Sequence, residues 1–563
     1  MKILQIFVLG ILLSLPLTSS LVIPNQNWSN SFHKRNTVAA EISTSQDSIN
    51  FLRINRTEYK DRLQGFWLGS CIANWTGLPT ENRRTDFPFF TDKDFGPGKY
   101  DYVLNEDPWG ADDDTDIEYV YQSAIEKYNN YMLTGDQISE AWQEHIGLPL
   151  LWVSNLAALG QMQNGALPPA TSLPENNPMW DMIDAQLTTE IFGALAPGRP
   201  DIALEIGNLP VRTTAYLHSE WAAEFYIIMY SLVSTVDTSL SRKEQVMWMA
   251  DQARKRVPDW SYIADMYDYV KNAYFANPDK DNWEKTRDEV VRRYQKTVTS
   301  GYHYKYPWDA GINFAASIIS LFYGEGDYKR TIRIGSMCGW DSDNPTATWG
   351  GLLGLLYGQK ELERHFDKYD FSENYNIERT RYNMPIPLDN FRDMSERGIR
   401  IIDAIVLEAM GGSINKDDWI IPIVNSTITS SSVGEIEVPW ITIEDNDPRW
   451  LYKGFETDRV NWNASGASLT KGYKDCLAKI TFTGTALQYY AYRSPKGGSV
   501  TIHLDGKSYG SFSLENHAST LGQYYVKIFE KLDLASGPHT LSIQGDSYET
   551  EKSIDMLSII NKN

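Results

Sequence analysis

The sequence predicts an all-α domain followed by an all-β antiparallel sandwich. Two patterns in this chain of 563 residues carry the prediction. Apolar residues recur at intervals of three and four through most of residues 55–410, which is typical of helices packed on a core. After residue 450, short alternating runs such as LAKITFTG and SVTIHLDG are separated by turn residues, which is typical of antiparallel strands. The chain is also long for one hydrophobic core.

The N-terminus predicts export. Residues 1–20 place one Lys before a short apolar run and small residues after it, as a signal peptide does. Residues 21–50 are polar and lack a period, so we expect a flexible leader there. No later segment is apolar over the length that a bilayer span requires. The sequence therefore predicts a secreted or periplasmic protein with no membrane attachment.

The domain boundaries follow from changes in composition. Residues 51–411 read as helices punctuated by Gly and Pro, for which Ile117, Val120, Tyr121 and Ala124 give the period. Residues 412–449 mix short β-branched runs with Pro, Gly and Asp, and we expect a connecting segment there. Residues 450–563 are expected to form the sandwich.

Charge and cysteine content narrow the function classes. The net charge is −21 at pH 7, so we expect neither nucleic acids nor anionic membranes as partners. The charge is compatible with divalent cations, although solubility alone would also explain it. The three cysteines are odd in number and far apart, so buried free thiols are expected. A bridge between Cys71 and Cys338 is the alternative.

The stretch GADDDTDIEYVY at residues 110–121 concentrates negative charge where a helical period begins. One or two acids at a helix N-terminus serve as cap and dipole partners, but Asp112, Asp113 and Asp114 in succession exceed that need. No Lys or Arg lies nearby in sequence, and a divalent cation would offset the repulsion. A helix cap is the alternative.

A second acidic loop lies far along the chain. Residues 338–351 read CGWDSDNPTATWGG, in which Asp341 and Asp343 precede a helix that Pro345 can begin. Two such loops that meet in space would offer oxygen ligands for one or two hard cations. Taken alone, each loop could equally be a turn or a cap.

A third motif, GSCIANWTGLPTE at residues 69–81, precedes both acidic loops. A fourth, PGRPDIALEIGNLPVRTTAYLHSEW, lies between the two acidic loops. In this order, over about residues 58–365, the motifs resemble those of the ADP-ribosylglycohydrolase superfamily (dinitrogenase-reductase-activating glycohydrolase-like). The resemblance implies an all-α fold with a dinuclear Mg²⁺ site that hydrolyses a glycosidic bond at the anomeric carbon of a ribose-like sugar. Mn²⁺ or Ca²⁺ are the alternative ions.

The resemblance also implies roles for particular residues. Carried over by position, the metal ligands are Asp112, Asp113, Asp114, Asp341, Asp343 and Asn344. Glu81 and Asp114 take the catalytic positions, although Glu81 could instead orient a water molecule or cap a helix. Asn74 replaces the first Asp of the family pattern and Asp112 replaces a hydroxyl, so ADP-ribose as the substrate stays open.

Three residues are candidates for binding the substrate. Asn74 belongs to the first motif. Trp109 ends the aromatic loop of residues 87–109, which could stack on a sugar or a base, or could pack on the domain. His218 begins an apolar helix, where it either lines the pocket or lies in the core.

The leading hypothesis is a secreted, metal-dependent glycoside hydrolase that cleaves an N- or O-glycosidic bond of a sugar or nucleotide-sugar substrate. One alternative is a polysaccharide- or oligosaccharide-degrading glycosidase with the same metal site, and another is a catalytically silent glycan-binding protein. The C-terminal region resembles jelly-roll, galactose-binding-like modules of secreted carbohydrate enzymes. We expect it either to bind a glycan through aromatic residues such as Trp450 and Tyr490 or to brace the fold.

Overall fold

The computed structural model describes residues 50–147, 151–377, 381–423, 428–435, 440–458, 461, 463–516 and 522–560. The predicted signal peptide, and the leader up to residue 49, lie outside these ranges. No helix in the described part of the chain combines the length and the apolar character of a membrane span.

The α-domain was predicted from periodicity, and the structure has it as a set of helices around one large core. The helices are α1 Arg56–Gly77, α2 Asp113–Tyr128, α3 Gly135–His145, α4 Val153–Gln163, α5 Asp184–Thr188, α6 Ile191–Ala194, α7 Pro200–Val211, α8 His218–Leu232, α9 Arg242–Arg254, α10 Tyr262–Ala276, α11 Glu284–Val290, α12 Ala310–Gly324, α13 Tyr328–Cys338, α14 Asp343–Tyr357, α15 Gln359–His365 and α16 Phe391–Glu408.

Helices α1 and α14 cross at the centre of the domain at unusually short range. A Cβ atom on Gly69 would lie 2.4 Å from the carbonyl oxygen of Gly350. One on Gly77, at the end of α1, would lie 2.4 Å from the Cα atom of Asp343, where α14 begins. Only glycine allows backbones to approach so closely. The crossing therefore brings the C-terminus of α1 to the N-terminus of α14.

The ends of the α-domain are joined by a small sheet that the sequence did not predict. Strand β1 (Phe51–Asn55) pairs with a later strand of residues 418–422 in antiparallel register. A second small sheet includes β2 (Trp109–Gly110). The other strands of these two sheets are β3 Asn374–Asn376, β4 Leu388–Asn390, β5 Ser413–Asn415 and β6 Asp418–Pro422. Strand β6, which belongs to the predicted connecting segment, thus pairs with the first strand of the α-domain.

The C-terminal region forms two antiparallel sheets around a second core. The strands are β7 Trp440–Glu444, β8 Leu451–Asp458, β9 Leu469–Gly484, β10 Ala486–Arg493, β11 Ser499–Leu504, β12 Lys507–Ser513, β13 Gln523–Lys531, β14 Gly537–Gly545, β15 Lys552–Ile554 and β16 Met556–Ile560. One sheet has the order β13-β10-β16-β7; the other has β12-β11-β14-β9-β15, with β8 paired to β9. The sandwich begins at Trp440, ahead of the predicted boundary at 450, because β7 pairs with β16.

Candidate active site

The first acidic loop lies at the start of α2. Asp112 is the N-cap residue of this helix, and Asp113 and Asp114 are its first two residues. The Asp114 side chain is buried, whereas Asp112 and Asp113 are half-buried. Both oxygens of Asp114 accept hydrogen bonds, from Asn344 Nδ2 at 3.0 Å and from Asn74 Nδ2 at 2.9 Å. The carboxylate is therefore held by two amides from two other helices.

The second acidic loop joins α13 to α14. Asp341 donates its backbone N–H to Asn313 Oδ1 at 3.2 Å, and Asp343 is the first residue of α14. The preceding residues Gly339 and Trp340 have φ angles of 106° and 56°, a region that side chains rarely adopt. Such backbone strain clusters at functional sites, since the surroundings must hold it in place.

Glu81 is fixed beside this second loop. It follows a single 3₁₀ turn, Leu78–Thr80, at the end of α1. Asn82 donates its backbone N–H to the Trp340 carbonyl at 2.8 Å, and the Trp340 N–H donates to the Arg84 carbonyl at 3.0 Å. The Glu81 side chain also accepts a hydrogen bond from Asn82 Nδ2 at 2.9 Å. Glu81 and Asp341 are thus held together by backbone pairing.

The carboxylates form two groups that share one member. Oxygen atoms of Glu81, Asp341 and Asp343 lie within 4.8 Å of one another, and so do those of Asp112, Asp114 and Asp343. Asp343 Oδ1 is buried and accepts no hydrogen bond from the described residues. An all-oxygen set with a shared, unpartnered carboxylate oxygen fits two hard divalent cations. These five carboxylates could therefore hold metal ions, whereas Asp113, which was also predicted as a ligand, belongs to neither group.

The pKa values of the clustered carboxylates also favour a bound cation. Burial, followed by the Asp112 carboxylate, raises the pKa of Glu81 to about 7. Burial raises the pKa of Asp341 and of Asp343 well above the ordinary range, and Glu81 is the next contributor for both. Like charges held this close in a buried site are costly unless a positive charge joins them.

The described helical domain matches the family model for ADP-ribosylglycohydrolase over residues 55–373, a range that contains every residue of both carboxylate groups. The chain belongs to the ADP-ribosylglycohydrolase family. No curated protein matches the chain.

Solved structures resemble parts of the chain at low TM-scores. The catalytic domain of a family GH87 α-1,3-glucanase, solved with tetrasaccharides, is 17% identical, with a TM-score of 0.18, over 23% of this chain and 29% of its own. A CBM35 from Cellvibrio japonicus is 14% identical, with a TM-score of 0.19, over 22% of this chain and 94% of its own. A family 35 carbohydrate-binding module from Clostridium thermocellum is 10% identical, with a TM-score of 0.19, over 22% and 98%.

Asn74, predicted to bind the substrate, lies beneath the carboxylates in this ADP-ribosylglycohydrolase domain. Its side chain is buried, and its Nδ2 donates to Asp112 at 3.1 Å, Asp114 at 2.9 Å and Asp343 at 3.4 Å. Its Oδ1 is buried without a partner among the described residues. The amide thus ties the two acidic loops together where the family pattern has a carboxylate.

The structure does not bring Trp109 or His218 to the carboxylates by any described contact. Trp109 is fully buried and donates its indole N–H to the Ser372 carbonyl at 3.0 Å. The His218 ring stacks on Tyr262 with centroids 3.9 Å apart, and its Nδ1 is hydrogen-bonded to Ser261 Oγ at 2.8 Å. Burial lowers the pKa of His218 to about 3. Both side chains have the contacts of packing residues.

Two further buried polar residues, Asp184 and Asn155, were not predicted from the sequence. Asp184 accepts hydrogen bonds from the backbone N–H groups of Ser154 at 3.2 Å and Asn155 at 3.3 Å, at the start of α4. Its carboxylate is also one of the charges that raise the pKa of Asp341. Asn155 is fully buried, and neither polar atom of its side chain has a partner among the described residues. The adjacent residues Ser154 and Asn155 indicate a helix start, but no local sequence feature links them to Asp341.

Proposed function

We propose that this protein is an exported, metal-dependent glycosidase that cleaves an N- or O-glycosidic bond at the anomeric carbon of a ribose-like sugar. The observation that carries the proposal is the pair of carboxylate groups sharing Asp343. One ion would be held by Asp112, Asp114 and Asp343, and the other by Glu81, Asp341 and Asp343. Mg²⁺ suits the oxygen-only ligands, and Mn²⁺ and Ca²⁺ are tested beside it.

The bound ions would supply positive charge that orients sugar hydroxyls and stabilises the negative charge that develops as the bond breaks. Glu81 is half-buried, and the Asn82 amide holds one of its oxygens. Its carboxylate accepts a proton from the water that attacks the anomeric carbon and returns it to the leaving group, which departs with the bonding electron pair. Asp114 keeps a fixed orientation because each of its oxygens accepts an amide N–H.

The first experiment is a calorimetric titration of metal-stripped protein with Mg²⁺, Mn²⁺ and Ca²⁺. We expect about two ions per chain and weaker binding by Asp114→Ala. Asp259→Asn is the control, because this side chain is 95% exposed and belongs to neither carboxylate group. The absence of binding in the wild-type protein would leave a helix cap as the role of the aspartates.

The substrate is then sought with the ion that binds. A panel of 4-nitrophenyl furanosides and pyranosides, nucleosides, ADP-ribosylated peptides and oligosaccharides separates the ribose-like proposal from the polysaccharide alternative. Hydrolysis of a ribofuranosyl bond that is lost in Glu81→Gln supports the proposal. Hydrolysis of pyranosyl oligosaccharides alone would favour the alternative.

A second candidate activity, glycan binding, belongs to the sandwich. A cleft of about 570 Å³ is lined by polar and aromatic side chains, namely Asp445, Asn446, Asp447, Trp450, Tyr452, Thr457 and Ser468. The Trp450 and Tyr452 rings are nearly parallel, at 12° and 5.6 Å between centroids. Trp450 is only 5% exposed and packs in the sandwich core, so Tyr452, with carboxylates beside it, is the ring offered to a sugar. Retardation of the wild-type protein, but not of Tyr452→Ala, in gels containing polysaccharides would support this activity.

A further inference from the structure

The buried side chain of Asn313 joins the second acidic loop to the start of α12. Its Oδ1 atom accepts the backbone N–H of Asp341 at 3.2 Å. Its Nδ2 atom donates to the carbonyl oxygens of Pro307 at 2.7 Å and Asp309 at 3.0 Å. The two carbonyls need a donor and the N–H needs an acceptor, so only this orientation of the amide satisfies all three.

The peptide unit between Trp340 and Asp341 is held at both ends. Its carbonyl accepts the Asn82 N–H at 2.8 Å, and its N–H donates to Asn313. Trp340 has a φ angle of 56°, a conformation that the surrounding contacts must hold in place. Without Asn313, the Asp341 N–H would lose this acceptor inside the protein, which costs free energy unless the turn rearranges. The direction of the Asp341 side chain therefore depends on Asn313.

The carbonyls that hold Asn313 belong to an ordered loop. Asp309 is the N-cap residue of α12, and its carboxylate accepts hydrogen bonds from residues of the preceding loop. The donors are the Tyr302 hydroxyl at 3.1 Å and the backbone N–H groups of Lys305 at 2.6 Å and Tyr306 at 3.2 Å. Residues 302–309 are thus folded over the helix start, and they present their carbonyls to Asn313 in a fixed arrangement.

The same loop contacts the sandwich. The buried Tyr306 hydroxyl is hydrogen-bonded to Ser465 Oγ at 3.2 Å. Ser465 is itself held within the sandwich, because its N–H donates to Asp555 Oδ1 at 2.8 Å and its hydroxyl donates to Glu444 Oε1 at 3.0 Å. Hydrogen bonds therefore connect the sandwich to the loop, the loop to Asn313, and Asn313 to the second acidic loop.

We propose that Asn313 is a positioning residue for Asp341, and that the sandwich braces the same aspartate through Tyr306. The inference rests on the proposed metal-dependent function. Asp341 belongs to the carboxylate group that it forms with Glu81 and Asp343, and not to the other group. Asn313 therefore acts on one of the two ions, and the sandwich supports that half of the metal centre.

The test introduces Asn313→Ala into two backgrounds and titrates metal-stripped protein with Mn²⁺ by calorimetry. Asp112→Asn leaves only the carboxylate group of Asp341 complete, and Asp341→Asn leaves only the other group complete. We expect Asn313→Ala to weaken Mn²⁺ binding about tenfold in the Asp112→Asn background, as the loss of a residue that supports a metal ligand does. In the Asp341→Asn background it should change nothing, since its effect passes through Asp341. A general loss of structure would weaken both alike.

Asn277→Ala is the matched control. Asn277 is also buried, and its side chain both donates to a backbone carbonyl, that of Asn282 at 2.9 Å, and accepts a backbone N–H, that of Asp279 at 3.2 Å. It belongs to the end of α10 and to neither carboxylate group. We expect Asn277→Ala to match its parent in both backgrounds.

Tyr306→Phe removes only the hydroxyl that meets Ser465, and we expect a smaller loss of Mn²⁺ affinity, again confined to the Asp112→Asn background. If Asn313→Ala does not fold, Tyr306→Phe decides, and unchanged affinity then overturns the inference. If the wild-type protein binds two ions while both variants keep the affinity of the Asp112→Asn parent, or lose it equally in both backgrounds, this inference alone falls. A wild-type protein that binds no ion would overturn the proposed function as well.

Discussion

Asn74 shows how one side chain sets the charge balance of the site. Its amide donates to three carboxylates from both acidic loops. An Asp at this position would accept rather than donate and would add a fourth negative charge to that group. The asparagine therefore lets the two acidic loops approach each other without a bound ion. It also makes the net charge of the site one unit less negative than an aspartate would.

We predict that Asn74→Asp destabilises the metal-free protein by about 2 kcal/mol, from lost hydrogen bonds and added repulsion. Saturating Mg²⁺ should recover most of that loss, because the new carboxylate strengthens ion binding. Urea unfolding with EDTA and with Mg²⁺ measures both effects, and Asn272→Asp, at an exposed position of α10 outside both carboxylate groups, serves as the control. Equal stability of Asn74→Asp and the wild-type protein in EDTA would contradict the prediction.

The buried His218 ring makes the free energy of unfolding depend on pH. Its pKa is lowered from 6.5 to about 3 by burial, so the folded protein keeps the ring neutral while the unfolded chain takes up a proton below pH 6.5. Stability is therefore lost as the pH falls from 6.5 toward 3. Because the side chain is partly accessible, we expect a penalty of about 1–2 kcal/mol at pH 5. Urea unfolding of His218→Gln should show a shallower pH dependence, and parallel curves would contradict this.

At the scale of elements, the crossing of α1 and α14 builds the site. Gly69 faces the Gly350 carbonyl, and Gly77 faces the first residue of α14, so the helix ends that carry Asn74 and Asp343 meet. Backbone atoms cannot move aside as a flexible side chain can. The proposed metal site therefore depends on glycines that supply no ligand themselves.

Gly69→Ala tests this dependence. A Cβ atom 2.4 Å from a backbone oxygen forces the helices apart, and we expect a loss of about 3 kcal/mol of unfolding free energy, with weaker ion binding. Gly434→Ala is the matched control, since a Cβ atom there meets nothing within 4 Å. Thermal unfolding and Mn²⁺ titration of both variants provide the measurement. An unchanged Gly69→Ala would mean that α1 and α14 tolerate a wider crossing.

The sequence predicted those parts of the site that are local. Acidic residues at the start of a helical period identified both loops, and the small residues of α14 indicated close packing. Asp184 could not be predicted, because only the tertiary fold brings its charge near Asp341. Trp109 was a reasonable candidate beside the acids, yet its indole is buried. All three cysteines are buried and free, as expected.

At the scale of the whole molecule, the proposed ion binding would be linked to folding, since the ligands come from segments far apart in sequence. An ion that binds only the folded state stabilises it by about 2.7 kcal/mol at one hundred times its dissociation constant. Asp343 belongs to both carboxylate groups, whereas Asp112 and Asp341 each belong to one. Variants at these three positions therefore distinguish the two ions by the part of the ion-dependent stability that each variant loses.

We predict that Mn²⁺ raises the unfolding temperature of the wild-type protein and that EDTA reverses the rise. Asp112→Asn and Asp341→Asn should each keep part of the Mn²⁺-dependent rise, because one carboxylate group stays complete in each. Asp343→Asn should lose nearly all of it, while being no less stable than the wild-type protein in EDTA, since a buried like charge is removed. Calorimetric unfolding of the three variants, with Asp259→Asn as control, gives the comparison. Equal losses in all three would mean that the carboxylates hold a single ion.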